Sequence, residues 1–388
     1  MSNTQTKNVP ELRFPGFEGE YSLDIFGNLA TNKSDKFNPQ NENASIDIEL
    51  DCIEQNTGRL IKIYNSKEFS SQKNKFNPQN VLYGKLRPYL NKYYFTKKSG
   101  VCSSEIWVLK STKEDKLLNL FLYYFIQTKR YSEVATKSAG SKMPRADWGL
   151  IENIRVYFPE LCEQQKIGEF FSKLDRQIEL EEQKLELLQQ QKKGYMQKIF
   201  SQELRFKDEN GNDYPDWEEK MIKDVYEITR GLVLSKKLIS KKTNDVNKYP
   251  VYSSQTTNNG LMGYYSNYLY KDSITWTTDG ANAGSVSYRS GKFYCTNVCG
   301  VLINEKGNSN LCMSEMLNRI AFKHVSKVGN PKLMNNVMAM VKLNFPCIEE
   351  QLKIARFIEA VEKNIINQER KIDLLKQVKN GLLQKMFI

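Results

Sequence analysis

The chain is 388 residues long, with 57 Lys/Arg against 45 Asp/Glu, a formal net charge of +12, seven cysteines and one histidine. That length calls for two or more domains, seven cysteines in no tight framework suit a reduced protein rather than a disulfide scaffold, and a single histidine leaves acid–base catalysis few players. No apolar run approaches the roughly 18 residues a membrane span needs, and MSNTQTKNVPELRF lacks the apolar stretch of a leader, so no membrane partner and a cytoplasmic location are expected.

In chain order, residues 1–28 carry ELRF at Glu11–Phe14, and the same tetrapeptide returns at Glu203–Phe206. A looser match of FPGFEGEYSLDIF (Phe14–Phe26) to YPDWEEKMIKDVY (Tyr214–Tyr226) opens each globular half in the same way. From Ile46 to Trp148, short β-like runs between turn residues predict strands, interrupted by a helix over Asp115–Thr128 with Leu117, Leu118, Phe121, Leu122 and Phe125 on one face. The hexapeptide KFNPQN occurs at Lys36–Asn41 and again at Lys75–Asn80, both read as turns.

Phe158–Phe200 occurs twice. A shift of 187 residues lays it on Phe345–Phe387, with 18 of 43 positions identical and no gap. A repeat of this length governs the architecture. Both copies bear a stripe of period 3.5, the spacing of a coiled-coil seam. In the first it runs through Ile167, Phe171, Leu174, Ile178, Leu185 and Leu188; in the second through Ile354, Ile358, Val361, Ile365, Ile372 and Leu375. The seams are broken at matching levels, Glu181 with Gln368 and Lys192 with Lys379, and polar seam residues fix register and partner. The two helices are therefore expected to pair with each other. Gly194 matches Gly381, and each costs about 1 kcal/mol relative to Ala in a helix interior, so close backbone approach or a bend is expected there.

The second globular region, Ile228–Asn344, has the same mixed texture with more glycine, and a helix is expected over Met313–Ser326. MPRADWGLIENIRVYFP and NPKLMNNVMAMVKLNFP align by the same 187 shift, which places Pro144 on Pro331. The repeating unit is thus a globular domain followed by a long helix. The expected fold is mixed α/β: two pseudo-symmetric domains joined by a central antiparallel pair of long helices. Residues 1–157 form the first domain, 158–202 the first helix, 203–344 the second domain and 345–388 the second helix, with residues 1–28 completing a cyclic repeat that brings the ends of the chain together. Pseudo-twofold pairing would set the globular domains at opposite ends of helices of about 38 residues, about 57 Å long.

Charge follows this division. Residues 51–160 hold 19 Lys/Arg against 10 Asp/Glu and residues 229–344 hold 15 against five, whereas residues 161–200 hold seven of each. Two separate contacts with a polyanion would leave this footprint.

With these motifs in hand, the sequence resembles the DNA-specificity (S) subunits of type I restriction-modification enzymes. The resemblance runs through nearly the whole chain and rests on ELRFPGF, YGKLRPYL (Tyr83–Leu90), TTDGANAG, TNVCGVL and the FP…EQ-x-KI helix openings at Phe158 and Phe345. It implies two target-recognition domains that each read half of a split site in double-stranded DNA. It also implies helices that act as a spacer and dock two methyltransferase subunits, restriction subunits that join that core, and no catalytic centre in the chain itself.

Within that reading, Lys85, Arg87, Tyr89 and Lys92 are the first domain's candidates. Alternation puts the first three on one face if the strand continues, and arginine can contact guanine bidentately. Ser103, Ser104 and Glu105 are weaker candidates, and Lys142 and Arg145 suit phosphate anchoring. In the second domain the candidates are Thr277, Thr278, Asp279, Gly280, Asn282 and Gly284 of a glycine-rich loop, Ser254, Gln255, Thr256, Asn258 and Asn259 as base-edge readers, and Lys332 as the counterpart of Arg145. A solvated lysine-rich surface and a plain glycine turn are the alternatives. Cys295, Cys299, Cys312 and His324 fit no common zinc spacing, and Pro215, Asp216, Glu218 and Lys220 only caricature a nuclease motif. No phosphate-binding loop, dinucleotide fingerprint or methyl-transfer motif is present, so no metal and no cofactor are expected.

Overall fold

Runs of β-branched and aromatic residues that alternate between two apolar faces make strands buried on both sides, and the first globular region is built on two of them. The computed structural model describes residues 8–43, 45–137, 142–254 and 257–388. The chain divides into two compact units, Met1–Gln183 with Glu369–Ile388, and Lys184–Gln368.

In the first unit, Val81–Gly84 and Ile106–Ser111 are the inner strands of a four-stranded sheet whose outer strands are Tyr93–Phe95 and Ala30–Thr31. Val81, Tyr83, Trp107 and Leu109 face one core, with Phe121, Phe125 and Tyr131. Leu82, Ile106 and Val108 face a second core against a five-stranded sheet, with Ile48, Cys52, Phe76 and Cys102. The expected helix over Asp115–Thr128 is shorter, Asn119–Phe125, and a second one follows at Lys129–Ala135. Leu118 is extended, and its N–H donates to Gln164 Oε1 at 2.9 Å, which fixes the helix start.

The second unit holds one six-stranded sheet in the order Glu227–Arg230, Cys299–Ile303, Tyr270–Thr277, Val286–Cys295, Tyr249–Tyr252, Leu261–Tyr265. Ile274, Trp276, Val286 and Leu302 face one core, and Phe293, Cys295, Cys299 and Val301 the other. Cys295, Cys299 and Cys312, which lies in the first of these cores, therefore serve as packing groups. The helix expected over Met313–Ser326 spans Leu311–Ala321, capped by the Asn310 side chain on Met313 N at 3.0 Å and ended by the 3-10 turn Phe322–His324.

The two long helices span Leu161–Phe200 and Ile348–Met386. Within the first unit they pair antiparallel. Phe171 meets Phe387 at 6.2 Å between ring centroids, Lys379 pairs with Asp175 at 2.6 Å, and Lys371 pairs with Glu181. Within the second unit Tyr195 meets Phe357 at 5.4 Å and Lys192 pairs with Glu362 at 2.8 Å. The lysine interruptions of the seam are thus ion-paired to carboxylates that are themselves repeat partners. Ile167, Phe171, Ile178, Ile354, Ile358 and Ile372 are buried, while Leu174, Leu185, Leu188, Val361, Ile365 and Leu375 are half-buried, as a seam between only two helices must be. The expected close approach at Gly194 and Gly381 is not found: a Cβ at either would meet no atom within 4 Å.

The duplicated ELRF and EQ motifs meet each other. Arg13 Nε and Nη2 donate to the buried Glu163 carboxylate at 2.8 and 2.7 Å, and Arg205 does the same to Glu350 at 3.2 and 2.8 Å. The neighbouring Gln164 and Gln351 each donate to the carbonyl of the helix-opening proline, Pro159 and Pro346, at 2.8 Å. Leu12 N–H donates to Lys385 O at 2.9 Å, as Leu204 N–H donates to Lys198 O at 3.0 Å. Each unit thus closes the end of one long helix with an ELRF segment.

Candidate nucleic-acid interface

In the first unit the strand Val81–Gly84 does not continue, so the expected shared face of Lys85, Arg87 and Tyr89 is not formed. Pro88 removes a ladder donor and disfavours right-handed helical geometry before it. Arg87 adopts the left-handed region at φ 52°, and Pro88–Leu90 is a 3-10 turn. A backbone exchange gathers the candidates instead. Arg87 N–H donates to Pro144 O at 2.7 Å, Ala146 N–H to Lys85 O at 2.8 Å and Lys85 N–H to Glu105 O at 3.0 Å. The turn with Lys85 and Arg87, the segment with Lys142 and Arg145, and the Ser103–Glu105 corner therefore converge.

Arg87 is exposed, as is Tyr89 at 57%, while Lys85 is half-buried. Arg145 Nε donates to Glu105 Oε2 at 2.9 Å and Nη2 to Oε1 at 3.1 Å. That hydrogen bonding holds the Glu105 carboxyl below the usual carboxylate range. Lys92 turns the other way: its ammonium donates to Leu50 O and holds the loop from within.

The second unit repeats the exchange. Gly280 N–H donates to Pro331 O and Leu333 N–H to Thr278 O, both at 2.9 Å, and Asp279 bridges Lys332. Pro331 and Lys332 are the repeat partners of Pro144 and Arg145, so the glycine-rich loop occupies the place of the Lys85–Pro88 turn. Gly280, at φ 96°, stands where the first unit has Arg87. Only glycine adopts that conformation without strain, and the first unit accepts strain to put a guanidinium there.

Thr277 and Thr278 are buried, so the expectation that they touch DNA gives way to a supporting role. Thr278 Oγ1 donates to Asp279 Oδ2 at 2.6 Å and accepts from Arg230 Nη2 at 3.4 Å. Asn282 Nδ2 donates to Ser254 O at 3.2 Å, tying the loop to the turn that precedes Asn258 and Asn259. These two asparagines are exposed and left-handed, both at φ 51°. Gln255 and Thr256 lie outside the described residues. Lys332 is exposed.

Sequence reading missed Arg289. Its guanidinium is buried, 3.9 Å above the Tyr252 ring, with Nε on Thr275 Oγ1 at 3.1 Å and Nη1 on Asn259 O at 2.9 Å. It props the Asn258–Asn259 turn from behind. Nothing in SYRSG distinguishes it from a surface arginine. Glu105, a weaker candidate from the sequence, gains its weight from the hydrogen bonds with Arg145.

A family model described as the type I restriction modification DNA specificity domain matches residues 20–190 and again 214–377. A Mycoplasma pneumoniae protein named as a type I specificity subunit, S.MpnORF615P, is 36% identical over 225 residues, 55% of this chain and 84% of the relative. The type I restriction enzyme MpnII specificity subunit of the same organism is 40% identical over 152 residues, 38% of this chain and 44% of the relative. The match thus spans less than half of one relative's length and most of the other's. Among solved structures, the S subunit of a type I restriction-modification system from M. genitalium superposes with a TM-score of 0.62 over 98% of this chain and 99% of that one, at 14% identity, which speaks for the fold alone. With its domain matched twice over most of its length, the chain belongs to the family of type I restriction-modification DNA-specificity subunits.

Proposed function

We propose that the chain is the sequence-reading subunit of a type I restriction-modification complex and has no catalytic centre of its own. Residues 1–157 and 203–344 are its target-recognition domains, each reading one half of a bipartite site in double-stranded DNA. Residues 158–202 and 345–388 form the spacer helices, on which two methyltransferase subunits dock before restriction subunits join. A complex of this kind works on chromosomal and invading DNA, so its place is the cytoplasm. The observation that supports this best is the backbone exchange at Lys85–Arg87 with Pro144–Ala146, repeated at Thr278–Gly280 with Pro331–Leu333. One scaffold sets a loop at the same place in both domains and fills it with different side chains, Lys85 and Arg87 in the first and Asp279 and Gly280 beside Lys332 in the second, which is what reading two unlike half-sites requires. Lys85, Arg87, Tyr89, Lys142, Arg145, Asn258, Asp279, Gly280, Asn282 and Lys332 are the groups offered to the duplex. Base-edge contacts are assigned to Arg87 and Asn258, and phosphate contacts to Lys142, Arg145 and Lys332.

The test is binding of the full chain, co-expressed with its methyltransferase partner, to duplex DNA over a range of salt. A steep linear fall of log affinity with log salt is expected, together with methylation of one split motif across the host genome. Affinity indifferent to salt would point to an acidic protein as the partner. Methylation or cleavage by the chain alone would make it an enzyme.

A further inference from the structure

The exchange that joins the two recognition loops also holds up a hairpin in the second unit. Ser326 N–H donates to Lys332 O at 2.9 Å and Lys332 N–H to Ser326 O at 3.1 Å, closing a tip of Lys327, Val328, Gly329, Asn330 and Pro331. Gly329 turns the chain at φ 71°. Gly280 and Leu333 tie the hairpin to the glycine-rich loop. On the other side the hairpin adjoins the turn Phe322–His324, packed so closely on Gly284 that a Cβ there would come within 2.8 Å of Val325.

At the tip stands Val328, 91% exposed, the most exposed large apolar side chain among the described residues. Turn tips favour Gly, Asn, Asp, Ser and Pro, each for a backbone reason, and a β-branched residue has none of those reasons to be there. Nothing in its own unit covers it. Its surroundings are cationic: Lys323, Lys327 and Lys332 are all exposed, and Asp279, the acid of the adjoining loop, faces Arg230.

A rigid apolar group ringed by cations at the edge of a recognition loop matches one feature of duplex DNA. The groove edges present hydrogen-bond donors and acceptors throughout, and the single apolar group among them is the C5-methyl of thymine in the major groove. We propose that Val328 reads a thymine methyl in the half-site of the second domain, with the flanking lysines on phosphates. This rests on the DNA-reading function proposed above and adds a specific base contact to it.

The experiment replaces each thymine of the mapped site in turn by deoxyuridine, which removes only the methyl, and compares affinities for wild type, Val328→Ser and Val328→Ala. At one position in the second domain's half-site the wild type should lose about fourfold, the worth of one methyl taken out of water, and both variants should bind the two DNAs alike. The ratio is internal to each protein, so any general loss of affinity cancels. If Val328→Ser keeps the full preference for thymine, or if no thymine position matters to the wild type, the assignment is overturned while the DNA-reading function stands. If the wild type shows no salt-sensitive, sequence-selective binding at all, the function fails and the probe with it.

Discussion

At the scale of single residues, the strongest commitments are two arginines whose partners lie far away in sequence. Arg13 and Glu163 are 150 residues apart, Arg205 and Glu350 are 145 apart, and each glutamate is fully buried at its helix start. Removing one partner of such a pair strands a buried charge. Arg13→Ala or Arg205→Ala should therefore cost about 3 kcal/mol, read as a lower urea midpoint; an unchanged midpoint would show that Tyr21 or Trp217, which also donate to these carboxylates, suffice. The motifs ELRF and EQ were legible in the sequence as repeats, but not that they bind each other, because no local pattern encodes a contact at that separation. Glu105 carries a pH prediction. Arg145 holds its carboxyl below the unfolded value of about 4.3. A depressed carboxylate stabilises the folded state above that pH, and the contribution is lost as pH falls through the folded value. The stability difference between wild type and Arg145→Ala should then be constant at neutral pH and shrink progressively as acidification passes the unfolded value and then the depressed folded one; a difference that does not shrink on acidification would assign Arg145 another role.

At the scale of elements, the long helices were the most legible part, since a repeat of 43 positions with a sustained seam leaves little freedom. Their glycines were not. Gly194 and Gly381 match in sequence, yet both look onto open space. Gly194→Ala and Gly381→Ala should each stabilise the free chain by about 1 kcal/mol, measured by thermal unfolding, and destabilisation would reveal a backbone requirement that the geometry does not contain. The strand through Tyr83 was legible only as far as Gly84. Beyond it, local chemistry at Pro88 overrode the alternation, and the true organiser is the exchange with Pro144 and Ala146. The corresponding loops of the two domains escaped alignment because Arg87 and Gly280 lie 193 residues apart whereas their partners Pro144 and Pro331 lie 187 apart, and KLRP shares no residue with TDGA. The backbone kept its hydrogen bonds while the sequence offset drifted.

At the scale of the whole molecule, the division of charge and the division of the core give different boundaries, and the difference decides how a domain can be exchanged. Positive charge collects in residues 51–160 and 229–344, as the proposed contact with a polyanion would require. The core of the first unit runs past those limits, because Ile167 and Phe171 of one long helix and Leu383, Met386 and Phe387 of the other pack with Phe121, Tyr124 and Phe125. Phe121 lies 4.8 Å from Phe387 and Tyr124 5.2 Å from Phe171, centroid to centroid. A graft of residues 30–157 from another family member therefore replaces the reading loops but must fit a fixed aromatic seat on the helices. With aromatic residues kept at positions 121 and 124, the chimera should methylate a motif changed in one half only, read by mapping methylated sites across the genome of a host that carries it. With Ala at both positions the same graft should lose stability by several kcal/mol, as expected for two truncated core aromatics, without any further change in the bases read. A graft that altered both halves of the motif would mean that the two domains do not read independently.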